Sequence, residues 1–428
     1  MCGASNAGSI SASSAGHSVP TDRDCGSVRG HETSRIRETQ GPPITLRLEI
    51  DFEVPVPIVA VGGELKNTVC AASASVAEVS ESHGDLSNPD ALRGFTRTVR
   101  YFTTVPHHKG GVVAHDLHPS YASTLHARKS TGRLVGVQHH HAHGVSCAMD
   151  ARMPLPALAI VCDGAGYGTD GAIWGGELLL CRADGFERLA HLDYFPLPGG
   201  DLAAKYPARP ALAVTREAFG ADWEEWASGL FDSGGGSGRR SNEFSMIRRQ
   251  IESGVNTPPT SSLGRLFDAV SYLCGLCDEN DQEGRAAVAL QDAAAEAMGV
   301  TAERFEPFAY TIHAARHAPM RLDWRPLIRG VVAEARHGTP ATRTAARFHQ
   351  TLSRMFAEVT EMAAERTGVR RVVLSGGCFL NSILREEMAS LLRKAGLTVG
   401  THSRVSCGDA GLSLGQAVVG AAVGGRMK

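Results

Sequence analysis

One local pattern occurs twice in this chain of 428 residues: an apolar strand, a glycine-rich turn and a second strand. The first copy comprises the apolar run 58–61, the turn 62–67 and a strand that starts at residue 68. In the second copy, the run 157–162 ends in Asp163 and is followed by a glycine-rich turn and a strand reaching residue 181. Backbone N–H groups in such turns bind anions. The pattern predicts an α/β protein organised around an anionic ligand.

Two phosphate-binding hairpins that face each other across a cleft are typical of the actin and hexokinase-like (ASKHA) nucleotide-binding fold. By this analogy we expect two α/β lobes with an interlobe cleft: lobe I over residues 43–155 and lobe II over 156–428. The C-terminal helix is expected to pack back toward lobe I. Residues 1–42 are rich in Ser, Gly, Ala and Thr, which predicts a disordered tail. For the turn 62–67 an ordinary hairpin turn is the alternative.

Four of the eighteen histidines fall within residues 139–143. They follow the apolar run 134–137, which predicts a strand, and lead into the small-residue segment 142–151, which predicts a helix. Residues four apart share a helix face, so His139 and His143 can direct two imidazoles at one ion. A histidine-rich turn with adventitious metal binding is the alternative.

Two aspartates stand where α/β proteins hold metals. Asp163 ends an apolar strand, and Asp409 precedes an Ala/Gly-rich helix. With His139 and His143 they form a set of two imidazoles and two carboxylates that suits iron or zinc. Sequence spacing does not show that these four side chains meet, and their convergence across the cleft is our central prediction.

Two further segments carry polar groups that are candidates for the site. The buried strand that begins at residue 112 ends in a polar turn, which lines the cleft or forms a satisfied turn network. The strand 371–375 runs into the turn Gly376-Gly377 and a helix start, which predicts unpaired N–H groups for a nucleotide's ribose or phosphate. The side chains in the first segment are His115, Asp116 and His118.

Charge and hydropathy exclude several classes of function. The chain has 43 basic and 45 acidic residues and a formal charge of -2, which does not favour a general nucleic-acid binder. No apolar run approaches the roughly 18 residues of a membrane span, and no secretory signal is recognisable at the N-terminus. We therefore expect a cytoplasmic protein with neither a nucleic-acid nor a membrane partner.

From about residue 56 to 420, these motifs in order resemble the C-terminal carbamoyltransferase domain of the HypF hydrogenase-maturation family. That domain is similar to antibiotic O-carbamoyltransferases and to tRNA threonylcarbamoyl-transfer proteins. The motifs that carry the resemblance are GGELKN (62–67), AHDLHP (114–119), VQHHHAH (137–143), DGAGYGTDGAIWGGE (163–177), PLPGGD (196–201), SSLGRLFDAV (261–270), ARFH (346–349), SGG (375–377) and GD (408–409).

The resemblance implies transfer of a carbamoyl group from carbamoyl-adenylate to the C-terminal cysteine thiolate of HypE, for cyanide ligand synthesis in [NiFe]-hydrogenase maturation. It implies iron or zinc on His139, His143, Asp163 and Asp409, and assigns phosphate or carbamoyl oxygens to Lys66 and Asn67. His115 is the third predicted catalytic residue. The predicted contacts of the ATP-derived AMP moiety are Gly62, Gly63, Gly164, Gly166, Glu283, Gly284, Gly376, Gly377 and Asn381.

The family's longer members carry acylphosphatase, zinc-finger and YrdC-like domains ahead of this one, and the first forty residues here hold none of them. We therefore expect the adenylate-forming step to be supplied in trans. Two other functions stay open: O-carbamoylation of a small-molecule hydroxyl, and a non-catalytic scaffold that binds HypE and nucleotide. Supplying carbamoyl-adenylate to thiol and hydroxyl acceptors would separate O-carbamoylation from transfer to the HypE cysteine.

Overall fold

A computed structural model of the chain describes residues 44–105, 111–227, 239–300, 305–314 and 317–426. The predicted tail 1–42 lies outside these residues. These described residues form one compact unit. The strands are β1 (Ile44–Ala60), β2 (Cys70–Ser80), β3 (Val112–Asp116), β4 (Arg133–Val137), β5 (Ala157–Tyr167), β6 (Ile173–Arg182), β7 (Gly185–Leu192), β8 (Phe195–Pro196), β9 (Pro259–Thr260), β10 (Thr311–His313), β11 (Met320–Asp323), β12 (Arg371–Ser375) and β13 (Thr398–Thr401).

Helices are interspersed among these strands, so the predicted mixed α/β character is confirmed. They are α1 (Pro89–Thr104), α2 (Ala122–Ala127), α3 (His139–Asp150), α4 (Asp201–Lys205), α5 (Ala208–Phe219), α6 (Trp223–Ala227), α7 (Arg239–Ser253), α8 (Leu263–Leu273), α9 (Arg285–Val300), α10 (Arg325–Arg336), α11 (Ala341–Thr367), α12 (Ser382–Lys394) and α13 (Leu412–Arg426).

Among the described residues the strands form two sheets. The small sheet has the order β2-β1-β3-β4, in which β1 and β2 are antiparallel and β3 is parallel to both β1 and β4. The large sheet has the order β10-β11-β7-β6-β5-β12-β13, and the short strand β9 pairs with β6 and with the short strand β8. The strands of the small sheet precede the predicted boundary at residue 155 and those of the large sheet follow it; the boundary itself stays a prediction.

Helices α3 and α13 are the middle layers of the molecule. Helix α13 packs on the small sheet, α3 packs on the large sheet, and the two helices pack on each other. Their backbones approach so closely that a Cβ at Gly415 would overlap the carbonyl group of Ala142, which explains the small residues in both helices. Every residue of α3 is buried, as expected for a helix enclosed on all sides.

The start of α3 differs from the sequence prediction. We predicted a helix over residues 142–151, whereas α3 begins at His139 and ends at Asp150. The reason is a side-chain cap, because the Gln138 Oε1 atom accepts a hydrogen bond from the His141 backbone N–H at 2.8 Å. The histidine run therefore forms the first turns of a buried helix.

In the described part of the chain, no helix has both the length and the apolar character that crossing a membrane requires.

Candidate metal centre

Four side chains from three separate parts of the chain meet at the N-terminal end of α3. Each of His139, His143, Asp163 and Asp409 offers one potential ligand atom, and these atoms all lie within 4.8 Å of one another. Both histidines are fully buried, and Asp163 is 6% exposed. The structure thus brings together the four residues whose convergence was predicted.

Local structure explains how each carboxylate reaches the histidines. Strand β5 continues past Cys162, where the predicted strand ends, and its pairing with β6 becomes irregular between Cys162 and Gly166. Asp163 lies at this irregularity, and its Oδ1 accepts a hydrogen bond from the Gly377 N–H at 3.0 Å. Asp409 begins a single 3₁₀ turn immediately before α13. Both carboxylates are therefore placed by backbone geometry.

Asp116, at the end of β3, orients His139. Its Oδ2 atom lies 2.8 Å from His139 Nδ1, and its Oδ1 accepts the His118 backbone N–H at 2.8 Å. A carboxylate on Nδ1 keeps the proton there and leaves the Nε2 lone pair for a metal. His139 Nε2 lies 3.3 Å from Asp163 Oδ2 and 3.8 Å from Asp409 Oδ1. The sequence predicted that Asp116 lines the cleft or joins a satisfied turn network, and it did not reveal this role.

His115 precedes Asp116 but lies outside the four-residue cluster. Its Nδ1 atom is 2.7 Å from the backbone carbonyl oxygen of Asp116. The imidazole is therefore engaged with the turn that ends β3. The alternative of a satisfied turn network describes this contact, and the catalytic role predicted for His115 stays a prediction.

His143 is the least satisfied member of the cluster. Neither ring nitrogen has a hydrogen-bond partner among the described residues. Its Nε2 lies 3.5 Å from Asp163 Oδ2 and 3.7 Å from Asp409 Oδ1, farther than a good hydrogen bond. A buried polar group without a partner needs an explanation, and a cation among these oxygen atoms would provide one.

The electrostatics of the cluster indicate an excess of negative charge. Burial opposes a charge on His139, but Asp116, Asp163 and Asp409 outweigh it and raise the pKa of His139 well above its usual value. The pKa of His143 is also raised, because Asp163 and Asp409 outweigh its burial. Burial raises the pKa of Asp163, yet the two histidines hold it well below the ordinary range. These carboxylates attract positive charge, whether a proton or a metal ion supplies it.

Lys66 lies at the edge of the cluster and connects two distant parts of the chain. Its Nζ forms a 2.8 Å ion pair with Glu283 Oε1, and both side chains are substantially exposed, at 46% and 65%. Burial opposes the charge on Lys66, but Glu283 and then Asp409 and Asp163 raise its pKa. The neighbouring Gly284 has a φ of 76° and precedes α9. The structure thus places three of the predicted site residues side by side.

The rest of the first glycine-rich turn is held by its own polar groups. Asn67 is fully buried, and its Nδ2 donates to the carbonyl oxygens of Val61 and Gly63, both at 2.8 Å. The Gly62 N–H donates to Gln416 Oε1 on α13 at 2.9 Å. The Asn67 Oδ1 atom, by contrast, is buried without a partner among the described residues. This oxygen is a free acceptor in the turn.

The two predicted glycines of the second glycine-rich turn, Gly164 and Gly166, contact neighbouring side chains. Gly166 packs against the rings of His139 and His140 so closely that a Cβ would overlap both. The Gly164 carbonyl oxygen accepts a hydrogen bond from Ser262 Oγ at 2.6 Å, and Ser262 also caps α8.

The prediction of unpaired N–H groups at the Gly376-Gly377 turn is wrong for these two residues. The Gly376 N–H donates to the Cys407 carbonyl oxygen at 2.8 Å, and the Gly377 N–H donates to Asp163. The turn therefore uses its N–H groups to position a cluster carboxylate and the segment before Asp409. The nucleotide contacts predicted for Gly376 and Gly377 stay a prediction.

Asn381, the last predicted nucleotide contact, is also engaged within the fold. Its Oδ1 accepts from the Leu384 N–H at 3.0 Å and caps α12. Its Nδ2 donates to His349 Nε2 at 2.8 Å. Both ends of this side-chain amide therefore have protein partners.

Comparisons with known proteins agree with the sequence motifs. The HypF Kae1-like domain family matches residues 53–150, and the family described as Carbamoyltransferase, Kae1-like Domain, second subdomain matches residues 159–416. The chain is 35% identical over 377 residues to Carbamoyltransferase HypF homolog of Cupriavidus necator, covering 85% of this chain and 91% of the relative. A 65-residue stretch is 42% identical to a tRNA N6-adenosine threonylcarbamoyltransferase of Symbiobacterium thermophilum, which confirms that predicted relation.

Other relatives are longer than this chain. Carbamoyltransferase HypF2 of Cupriavidus necator is 35% identical over 384 residues, which are 84% of this chain and 46% of that protein. The crystal structure of full-length HypF in the phosphate- and nucleotide-bound form has a TM-score of 0.80 and 34% identity, covering 88% of this chain and 48% of that one. The chain therefore spans about half the length of these two relatives.

Proposed function

Because this chain belongs to the HypF family of carbamoyltransferases, we propose that it transfers a carbamoyl group at the cluster on α3. The proposed donor is carbamoyl-adenylate, and the proposed acceptor is the C-terminal cysteine thiolate of a HypE-like protein in [NiFe]-hydrogenase maturation. The thiolate attacks the carbamoyl carbon, a C–S bond forms, and the C–O bond to AMP breaks. The observation that carries the proposal is the convergence of four ligand atoms within 4.8 Å.

The proposal includes a divalent metal ion, iron or zinc, held by His139, His143, Asp163 and Asp409. The donor set fits such an ion: two buried imidazoles, one without any hydrogen-bond partner in the described chain, face two carboxylates. When bound, the ion would supply Lewis acidity to a carbamoyl or phosphate oxygen. Asp116 orients His139 for this role through the Nδ1 contact.

Residues of the first glycine-rich turn bind and orient the donor. The Lys66 ammonium exchanges Glu283 for the donor phosphate and stabilises the negative charge that accumulates on the leaving AMP. Asn67 Oδ1, buried without a partner among the described residues, accepts a hydrogen bond from the carbamoyl NH₂ group. Because AMP is an activated leaving group, positioning provides much of the rate enhancement.

The proposed nucleotide site lies in the interlobe cleft of the predicted two-lobed ASKHA architecture. The AMP moiety lies between the sheets, with Glu283 and Gly284 beside its ribose. Glu283 is 65% exposed in its side chain and is paired only at the surface with Lys66. It is therefore accessible to a ribose hydroxyl once Lys66 turns to the phosphate.

The experiment supplies synthetic carbamoyl-adenylate, so its outcome does not depend on how the donor is made. A peptide with the C-terminal cysteine of HypE is compared with its Cys→Ala form and with small-molecule hydroxyl acceptors. We expect carbamoylation of the cysteine peptide alone, detected as a mass increase. Carbamoylation of hydroxyl acceptors instead would favour the O-carbamoyltransferase function, and binding of HypE without transfer would favour the scaffold.

A further inference from the structure

Helix α3 carries more than the two histidines on the face that points to the cluster. His139, His143, Ser146 and Asp150 follow one another at spacings of four, three and four residues. This spacing places all four on one face of a helix. The first two contribute ligand atoms, whereas Ser146 and Asp150 bind the segment that carries Asp409.

Asp150 binds this segment on the N-terminal side of Asp409. Its fully buried carboxylate accepts the backbone N–H groups of three successive residues, Ser403, Arg404 and Val405, at 2.7 to 3.3 Å. Arg404 adds a side-chain hydrogen bond from Nε at 3.1 Å. Three consecutive N–H groups around one carboxylate form an anion-binding nest.

Ser146 binds the same segment on the other side of Asp409. Its Oγ donates to the Gly411 carbonyl oxygen at 2.7 Å. The two anchors on α3 therefore hold residues 403–411 before and after Asp409. Since α3 also carries His139 and His143, one rigid helix determines where this carboxylate lies relative to the imidazoles.

The contacts of Asp150 also extend toward Asp163, the other carboxylate of the cluster. His402 Nδ1 lies 3.7 Å from Asp150 Oδ2, and His402 Nε2 lies 2.8 Å from Ser375 Oγ. Ser375 directly precedes the turn in which the Gly377 N–H donates to Asp163.

From these contacts we infer that Asp150, assisted by Ser146, is a positioning residue that sets metal affinity by holding the Asp409 segment against α3. This inference rests on the metal centre of the proposed function. Residues that orient metal ligands typically change metal affinity by about 10- to 100-fold when replaced. Asp150→Asn keeps the side-chain shape but replaces one acceptor oxygen with a donor, which faces backbone N–H groups and loses their hydrogen bonds.

The test measures Co²⁺ binding to metal-free full-length protein by calorimetry and by visible absorption, together with thermal stability. We expect Asp150→Asn to raise the Co²⁺ dissociation constant by about 10-fold or more. Ser146→Ala, which loses one hydrogen bond to the segment, should raise it by about fivefold. The absorption of bound Co²⁺ should change shape in Asp150→Asn, because the geometry of the ligands loosens. Amide hydrogen exchange of residues 403–411 in the metal-free protein should accelerate.

The matched control is Asp193→Asn. Asp193 is buried and accepts hydrogen bonds from Arg321 and Arg325 on a different part of the fold. This variant should lose stability while it keeps the wild-type Co²⁺ affinity within about twofold, because it does not touch the Asp409 segment.

A wild-type Co²⁺ affinity in Asp150→Asn, accompanied by lower stability, would overturn the inference and leave the metal centre intact. If Asp150→Asn does not fold, Ser146→Ala provides the test. A wild-type Co²⁺ affinity in Ser146→Ala would then overturn the inference. Absence of stoichiometric Co²⁺ binding to the wild type would instead refute the metal centre on which both proposals rest.

Discussion

Two buried histidines in this molecule show opposite uses of the same side chain. His349 on α11 and His143 on α3 are both fully buried. The Nδ1–H of His349 donates to the Ala345 carbonyl oxygen at 2.8 Å, and its Nε2 accepts from Asn381 at 2.8 Å. His143 has no hydrogen-bond partner at either nitrogen within the described chain.

The difference distinguishes a structural histidine from a ligand. Burying a polar group without a hydrogen bond costs about 1–3 kcal/mol, so a protein rarely keeps one that serves no purpose. His349 avoids this cost within the fold and stays neutral, since burial lowers its pKa to about 4 despite the Ala345 contact. His143 avoids it only if something else enters the cluster. Hydrogen bonding, rather than burial, separates the two.

The most severe test of this comparison removes the unsatisfied imidazole. His143→Ala deletes one of four ligands, so we expect loss of measurable stoichiometric Zn²⁺ or Fe²⁺ binding, measured by metal analysis after anaerobic purification, and loss of carbamoyl transfer. Stability should fall less than in the control variant of His349, because His143 makes only ion-pair contacts with Asp163 and Asp409 and no hydrogen bond within the described chain. The control His349→Ala should show the reverse, with lower stability and retained metal. Full metal occupancy in His143→Ala would show that His143 is not a metal ligand.

A second test removes Asn381, the side chain that donates a hydrogen bond to His349 Nε2. Asn381→Ala removes the cap of α12 and leaves His349 Nε2 buried without a donor. We expect a loss of about 3 kcal/mol in the free energy of unfolding, measured by urea denaturation. Nucleotide affinity of the folded variant, measured by calorimetry, should stay unchanged. A specific loss of nucleotide affinity at normal stability would instead support the sequence-based prediction that Asn381 contacts nucleotide.

Acid provides a third test, because the pKa of His349 in the folded protein, about 4, lies below its ordinary value of 6.5. The unfolded state therefore binds more protons, and the contribution of His349 to stability is complete above pH 6.5 and decreases toward pH 4. We expect this group to account for about 2 kcal/mol of lost stability between pH 6.5 and 5. Urea denaturation of the wild type and of His349→Gln, each at pH 6.5 and at pH 5, measures how much of the pH dependence of the free energy of unfolding comes from His349. Equal pH dependence in the two proteins would contradict it.

The smallest effect is expected where charges are paired but exposed. Glu283→Ala breaks the ion pair with Lys66, and because both side chains are well exposed we expect less than about 1 kcal/mol of destabilisation. The Lys205–Glu279 pair has similar exposure, at 51% and 50%, so Glu279→Ala is the matched control. Both are measured by urea denaturation. A loss well above that of the control would mean that Lys66–Glu283 is an important structural link rather than a readily exchanged pair.

Helical spacing predicted the histidine half of the cluster, because a four-residue repeat brings two side chains to one face in any α-helix. The repeated glycine-rich hairpins and the carboxylate that follows the apolar run 157–162 were equally visible. Asp116 was placed near the cleft but not on His139, since a hydrogen bond between residues 23 positions apart depends on how β3 and α3 pack. The Gly376-Gly377 turn was predicted as a free anion site because a sequence does not reveal that Asp163 occupies its N–H group.

The sequence by itself determined the family, the mixed α/β character and the two imidazoles one helical turn apart, because these follow from motifs and from the periodicity of local structure. Only the tertiary structure decided which polar groups are already paired. It placed Asp163 and Asp409, which are 246 positions apart, beside the histidines, directed Asn381 to His349, and set Asp150 under three backbone N–H groups. Such pairings depend on contacts between distant segments, and no local pattern encodes them.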